Sequence, residues 1–169
     1  MRSFHPNLLV NVAEITPYSR NAREHSPAQI AQIVASIDEF GFTNPILLDE
    51  NNVLIAGHGR LAAAQYLNMP QLPAIVLAGL SDAQKSALRL ADNKLALNAT
   101  WDDELLRTEL MDLRDGGFDL TLTGFGEDEL SGLFPIEPQA PDGFAGYDED
   151  IETEHECPKC HYRWSGKAG

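Results

Sequence analysis

Residues 53–64 read VLIAGHGRLAAA, in which an apolar run stops at two glycines and a helix-forming run follows at once. A strand that enters a helix through a glycine turn leaves the first N–H groups of the helix without partners, and the helix dipole makes that end positive. Such a junction can bind an anion. Gly57 and Gly59 permit close backbone approach because they have no Cβ atom, and Arg60 adds a planar guanidinium suited to phosphate oxygens. A tight turn with a surface arginine would have the same pattern.

The composition is that of an ordinary globular protein. The chain has 169 residues, of which 43% are hydrophobic and 22% charged, so it can bury one core and carry an appendage. No apolar run approaches the roughly 20 residues that span a bilayer, and the first residues have no signal-peptide pattern. We therefore expect a cytoplasmic protein that makes no membrane contact.

The net charge is −14, from 12 Lys and Arg against 26 Asp and Glu. Eight of the acids lie in residues 137–156, which contain no Lys or Arg, and the residues before them still carry 18 acids against 9 bases. Proteins that bind DNA unaided usually present a basic face. The charge therefore disfavours DNA binding by this chain alone. Four cations could still hold a small phosphorylated ligand: Arg20, Arg23, Arg60 and Lys94.

Hydrophobic spacing and turn residues predict a small α+β domain, with a short mixed sheet flanked by helices and no regular βαβ alternation. We predict strands at 8–12, 45–48, 53–56 and 72–77, with 45–56 as a hairpin, and an extended piece at 118–125. Helices are predicted to begin after Ser26, after Ser81, which forms a capping box with Gln84, and after Asp102. Two further helices are predicted at 60–67 and 127–134.

The chain changes character after Pro135. Prolines, glycines and acids predict a flexible acidic linker over residues 135–154. Cys157 and Cys160 are the only cysteines, and their spacing is typical of a metal knuckle. Structural Zn²⁺ needs four ligands, and His155 is a better third ligand than His161, which adjoins Cys160. Two chains could share the ion, or a partner protein could supply the missing ligands. Alternatively, the tail could carry two free thiols.

Four short pieces give the chain a family resemblance: NAR at 21–23, GFTNPI at 41–46, GHGR at 57–60 and DNK at 92–94. Their order resembles the ParB/sulfiredoxin superfamily, and in particular the ParB-like domain found next to phage and bacterial DNA methyltransferases. The run LADNKLA at 90–96, followed by Trp101, adds to that likeness. It implies three parts: a ParB/sulfiredoxin-like domain at 7–134, the linker at 135–154, and a zinc-knuckle-like tail at 155–169.

The resemblance implies that the domain binds a nucleoside triphosphate, ATP or CTP, together with Mg²⁺. The implied phosphate contacts are Gly57, His58, Gly59 and Arg60, with Arg23 closing over the phosphates. The implied base or sugar contacts are Gly41, Thr43 and Asn44. Asp92 and Asn93 match the pair that helps to hold Mg²⁺, for which carboxylate and amide oxygens are suitable ligands. From the residues alone, Arg23 could equally be a surface charge, and Asp92 and Asn93 could cap the end of their helix.

Departures from the family pattern narrow the expected function. Sulfiredoxins carry a cysteine in the phosphate loop, whereas no cysteine precedes Cys157 here, so sulfiredoxin activity is not expected. Residues 102–134 are short and acidic, so centromere-type DNA binding is not expected either. We expect a nucleotide-binding accessory or regulatory factor in DNA modification, segregation or gene regulation, encoded by a phage or another mobile element. Slow NTP hydrolysis is left open. Its partners would be a nucleotide, DNA or a DNA-bound protein, and a second copy. The alternatives are phosphotransfer to a small hydroxyl compound such as serine, and a non-catalytic DNA adaptor.

Overall fold

A computed structural model describes residues 5–134 and 153–166 of the chain. Contacts divide the chain into two units, Met1–Pro135 and Ile136–Gly169, which are described separately. The first unit contains four strands, β1 (Asn7–Asn11), β2 (Ile46–Asp49), β3 (Leu54–Ala56) and β4 (Gln71–Leu77). Its helices are α1 (Pro27–Phe40), α2 (His58–Tyr66), α3 (Asp82–Ala96), α4 (Asp103–Asp115) and α5 (Glu127–Leu133), with 3₁₀ turns at Val12–Glu14 and Leu120–Thr123. The predicted α+β class is confirmed.

The four strands form one mixed sheet in the order β1-β4-β2-β3. β1 pairs with β4 antiparallel, β4 with β2 parallel, and β2 with β3 as the predicted antiparallel hairpin. Because β2 and β4 are parallel, the chain must cross the sheet between them, and it does so through β3 and α2. This path places the β3–α2 junction, at Gly57, at the end of a buried strand.

The core lies between the sheet and α2. Ile46, Leu48 and Leu54 of the hairpin are completely buried, and Leu61 of α2 packs against them. Close packing of this kind leaves little freedom to the elements that carry it. The first turn of α2 is therefore held in a fixed position at the end of β3.

Helix α3 is attached to the β2–β3 hairpin through a buried ion pair. The Nζ atom of Lys85 lies 3.0 Å from Asp49 Oδ2 and 3.0 Å from Glu50 Oε1. Asp49 Oδ1 also accepts hydrogen bonds from the N–H groups of Asn51 and Val53, both at 2.9 Å. The side chain of Asp49 therefore fixes the hairpin turn and one end of α3 at once.

Most predicted helix starts are confirmed by their caps. The Ser26 hydroxyl accepts from the N–H of Gln29, and Ser81 and Gln84 form the predicted capping box. Asp102 accepts from the N–H groups that follow it at the start of α4. Helix α1 ends at Phe40, and Gly41 after it adopts a φ of +75° that favours glycine.

Two local predictions are wrong, and one alternative is excluded. Residues 118–125 are not extended, because the Asp119 carboxylate accepts from Thr121 N and starts the 3₁₀ turn at Leu120–Thr123. Helix α2 begins at His58, earlier than predicted. Helix α3 continues to Ala96, so Asp92 and Asn93 lie inside it and do not cap its end.

The second unit is described over residues 153–166, where β5 (His155–Glu156) and β6 (Arg163–Trp164) form a short antiparallel hairpin. The predicted linker at 135–154 lies outside the described residues except for Thr153 and Glu154. Within residues 5–134 and 153–166, no helix is both long enough and apolar enough to cross a membrane.

Candidate functional site

The turn between β3 and α2 requires glycine. Gly57 is the N-cap of α2 and has a φ of +99°, in the left-handed region that side chains with a Cβ atom avoid. A Cβ atom there would lie 2.8 Å from Ile46 Cγ2 and 3.2 Å from Arg60 Nε. Among the described residues, no side chain forms a capping hydrogen bond at this helix N-terminus. The first N–H groups of the helix and the positive end of its dipole are therefore available to a ligand.

Gly59 has a different role from Gly57. A Cβ atom on Gly59 would lie 2.8 Å from Ile33 Cδ1 and 3.2 Å from His25 Cε1. The missing Cβ therefore lets α1 and the residues before it approach the first turn of α2. Gly59 is buried, so it serves packing of the two helices as well as access to the helix end.

The guanidinium of Arg60 is partly used by the protein itself. Its Nη1 atom donates to the carbonyl oxygens of Asn44 at 2.8 Å and Pro45 at 2.7 Å, just before β2. Burial lowers the pKa of Arg60 and the charge of Asp92 opposes that shift, while an arginine stays protonated in either case. The Nε and Nη2 atoms lie over Gly57 and remain as donors for an anion at the helix end.

His58 has a buried nitrogen without a partner. Among the described residues, no group within hydrogen-bonding distance pairs with its Nε2 atom. Burial lowers the pKa of His58, and the nearby charges of His25 and Arg89 lower it further. The ring is therefore neutral at neutral pH. An unmet buried hydrogen bond costs about 1–3 kcal/mol, which a ligand could restore.

Seven of the ten predicted nucleotide-site residues line one pocket of about 130 Å³ at the N-terminus of α2. They are Arg23, Gly57, His58, Gly59, Arg60, Asp92 and Asn93. Sequence analysis missed His25, which lines the same pocket and whose Nδ1 atom lies 3.0 Å from Gln29 Oε1. The Asn21 side chain also lines it and holds the Arg23 loop by donating to the Arg23 carbonyl at 2.7 Å.

The other three predicted residues, Gly41, Thr43 and Asn44, line a separate cavity of about 350 Å³. The two cavities share Arg60 and Ile33 in their walls. The structure therefore divides the predicted site into a small pocket at the helix end and a larger cavity on the other side of Arg60.

A third cleft, of about 730 Å³, lies beside the small pocket and shares Asn21, Arg23 and Asn93 with it. Three of the four cations predicted to cluster line this cleft: Arg20, Arg23 and Lys94. Arg89 adds a fourth cation, with its guanidinium carbon 3.6 Å from the centre of the Tyr18 ring. Sequence analysis missed Arg89, although its spacing of four residues from Lys85 and from Asn93 on a predicted helix places all three on one face.

The described residues contain no preformed metal site. In residues 5–134 and 153–166, no three His, Cys, Asp or Glu side chains come together in a way that could hold an ion. Asp92 is exposed, and Asn93 donates through Nδ2 to the Arg89 carbonyl. In the tail, His155 packs on the Trp164 ring and is not grouped with Cys157 and Cys160.

A model of the ParB N-terminal domain matches residues 7–94, about half of the chain. The chain belongs to this family. The ParB family match contains every predicted nucleotide-site residue, from Arg23 to Asn93, and the predicted ParB/sulfiredoxin fold is confirmed. A model of the ParB-methyltransferase HTH domain matches residues 104–160. Sequence analysis did not foresee this second match, which covers α4 and α5 and runs across the predicted boundary at Pro135.

One curated relative of this ParB-family chain is the ParB-like nuclease domain-containing protein YnaK of Escherichia coli (strain K12). The two are 57% identical over 72 residues, which are 43% of this chain and 83% of YnaK. Among solved structures, the C-terminally truncated chromosome-partitioning protein ParB from Caulobacter crescentus, complexed with CTP-gamma-S, superposes with a TM-score of 0.55 at 15% identity. The match covers 76% of this chain and 70% of that one. A Pnob8-like ParB-N domain matches with a TM-score of 0.44 at 18% identity, over 52% of this chain and only 36% of that chain.

Proposed function

We propose that this ParB-family domain binds a nucleoside triphosphate with its phosphates at the N-terminus of α2. The observation that carries the proposal is the buried Nε2 atom of His58, which has no partner in residues 5–134 and lines a pocket with Arg60 and Arg23. A phosphate oxygen there would accept from the His58 ring, from the first amides of the helix and from the free edge of the Arg60 guanidinium.

We assign the parts of the nucleotide to different cavities according to the cavity volumes. Ligand sites for small molecules usually enclose about 300–1,000 Å³, so the pocket of about 130 Å³ accommodates phosphate groups but not a whole nucleotide. The cavity of about 350 Å³ next to it is large enough for a nucleoside. We place the base and sugar there, against Thr43 and Asn44, so that the ligand passes Arg60.

The residues of the pocket fit a phosphate-bound Mg²⁺. The carboxylate of Asp92 and the side-chain oxygen of Asn93 are hard ligands, and Mg²⁺ commonly uses one or two protein oxygens together with phosphates and water. Mg²⁺ would offset phosphate charge near the exposed Asp92. That Caulobacter crescentus ParB is complexed with CTP-gamma-S supports testing CTP first and ATP second.

Calorimetric titration with CTP and ATP in the presence of Mg²⁺ tests the proposal. We expect one nucleotide per chain, and His58→Ala should weaken binding by about fivefold or more, since one hydrogen bond contributes about 1 kcal/mol. Absence of heat with either nucleotide, together with no change in the unfolding temperature on addition of nucleotide, would refute it. Phosphate release measured on the same samples reports slow hydrolysis.

Matched hydroxyl deletions locate the nucleoside. Thr43→Val removes a hydroxyl from the cavity of about 350 Å³, and Ser86→Ala removes one from the cleft of about 730 Å³. We expect weaker nucleotide binding for Thr43→Val alone. Weaker nucleotide binding for Ser86→Ala alone would instead indicate that the nucleoside lies in the cleft beside Tyr18. The proposed position of the phosphates would not change.

The biological role we propose is that of a nucleotide-dependent accessory factor in DNA modification, segregation or gene regulation. A second candidate, a DNA-binding adaptor, is favoured by the HTH match at 104–160 and opposed by the net charge of −14. A mobility-shift assay at low and moderate salt, with and without nucleotide, tests it, because phosphate-driven binding weakens as salt rises. No shift at low salt in either state would exclude the adaptor.

A further inference from the structure

The two cysteines lie in a tight turn between β5 and β6. The N–H of Cys157 donates to the Tyr162 carbonyl at 2.8 Å, and the N–H of His161 donates back to the Cys157 carbonyl at 2.8 Å. His161 closes the turn with a φ of +60°. These bonds fix the backbone around both thiols without any metal.

The closed turn brings both cysteines of a Cys-x-x-Cys sequence into one short hairpin. A turn of this kind can present two thiolates to one metal ion. Cys160 is exposed and Cys157 is half-buried, so both thiols can be reached from outside the hairpin.

The nearby histidines are held elsewhere. His161 Nδ1 lies 2.8 Å from Glu156 Oε1, and the His155 ring packs on Trp164 with 5.5 Å between ring centres. Within residues 153–166, no third ligand joins the two thiols. The whole sequence contains only these two cysteines, so a site of four thiolates needs two more from another chain.

We propose that Cys157 and Cys160 from two copies of this chain hold one Zn²⁺ in a shared tetrahedral site of four thiolates. Four thiols bind the ion with loss of their protons, and no electrons are transferred. Lys159 lies between the cysteines in sequence and offsets part of the negative charge of the site. Tyr162, which is 69% exposed and stacks on Trp164, offers apolar surface beside the thiols for the second copy to cover.

Native mass spectrometry of the full chain, purified with Zn²⁺ and a non-chelating reductant, tests this inference. We expect a dimer with one Zn²⁺, loss of that Zn²⁺ on chelation, and loss of it in Cys157→Ser. Co²⁺ in place of Zn²⁺ should give the absorption of a tetrahedral tetrathiolate. A monomer with one Zn²⁺, a dimer with two, or a chain that binds none would each overturn the inference.

His155→Ala and His161→Ala are the matched controls. Both should keep one Zn²⁺ per two chains and the same Co²⁺ spectrum. Loss of the ion in either variant would show that a histidine is a ligand. Because these changes lie outside residues 5–134, nucleotide titration of the same samples reports separately on the first unit.

Discussion

Replacing Arg60 tests two roles of one side chain, the carbonyl contacts seen in the structure and the phosphate contact that we propose. Its Nη1 atom donates to the carbonyls of Asn44 and Pro45, whereas Nε and Nη2 are the donors we assign to phosphate. Only a guanidinium can do both at once, because its donors are arranged in a rigid fork. Arg60→Ala should therefore lose stability and nucleotide affinity together, and Arg60→Lys should recover only part of either.

The two losses can be estimated from the contacts. Hydrogen bonds from charged donors contribute about 1.5–3 kcal/mol each, but Asn44 is exposed and Pro45 half-buried, so water can replace the donor at these carbonyls. We expect Arg60→Ala to lower the free energy of unfolding by about 1–3 kcal/mol. Loss of two charged hydrogen bonds to phosphate, at about 1.5–3 kcal/mol each, corresponds to about 150-fold weaker binding or more.

Urea denaturation and calorimetric titration measure the two effects on the same samples. Arg107→Ala is the matched control, because the Arg107 Nε atom donates to the Leu133 carbonyl at 2.9 Å and does not line the candidate site. It should leave nucleotide affinity unchanged. Wild-type nucleotide affinity in Arg60→Ala would refute the phosphate role of Arg60, and wild-type stability would refute the structural role of its two carbonyl contacts.

Three further predictions concern buried groups. Because burial and nearby charges lower the pKa of His58, the folded state resists its protonation, and stability should fall as pH drops below about 6.5. The urea midpoint should fall less with pH in His58→Gln than in the wild-type chain. Parallel curves for the two proteins would contradict this role of His58. Gly59→Ala should destabilise the domain by about 1 kcal/mol, because the added Cβ atom would lie 2.8 Å from Ile33 Cδ1. Ile33→Val removes that Cδ1 atom, so the double variant should recover the denaturation midpoint. A double variant no more stable than Gly59→Ala would contradict the steric explanation. The burial of Asp49 would raise its pKa, but hydrogen bonds from Val53 N, Lys85 and Asn51 N outweigh it and the net pKa is lowered. Asp49 therefore stabilises the fold above about pH 4, and this stabilisation is lost as pH falls through its folded pKa. Asp49→Asn should lower the urea midpoint at neutral pH and weaken the dependence of the midpoint on pH below about 4. An unchanged pH dependence in the acid range would contradict this role of Asp49.

The sequence specified the elements with strong local signals. Helix starts are predictable at Ser26, Ser81 and Asp102, because each side chain accepts a hydrogen bond from a backbone N–H group of the same turn. The 3₁₀ turn after Asp119 was missed because a short alternating run is compatible with a strand until the Asp119–Thr121 contact is known. The HTH match could not be predicted for another reason: the acidic composition of residues 102–134 disfavours DNA binding.

The sequence predicted most of the residues that line the small pocket, but not their arrangement. Family motifs selected Gly57–Arg60 and Asp92–Asn93, which do share one pocket. The guanidinium of Arg60 donates to the carbonyls of Asn44 and Pro45 and so separates two cavities. These contacts join residues 15 or more apart in the chain, and local sequence patterns do not predict them. Likewise, Gly59 makes room for Ile33 because α1 packs against α2 at this position. Local sequence patterns do not predict how two helices pack.

Helix α3 has an unusual attachment to the rest of its unit. Lys85 is the buried residue among its 15, with Arg89 stacked on Tyr18 one turn later, whereas Leu90 and Leu95 are exposed. Salt screens exposed charges strongly and buried pairs much less, so the Lys85–Asp49 contact should persist at high ionic strength while the contact with the more exposed Glu50 weakens. Amide hydrogen exchange in α3 should therefore quicken more in Asp49→Asn than on addition of NaCl to the wild-type chain. Because α3 carries Asp92 and Asn93, a buried carboxylate on the hairpin would then influence the geometry of one wall of the pocket without touching the ligand.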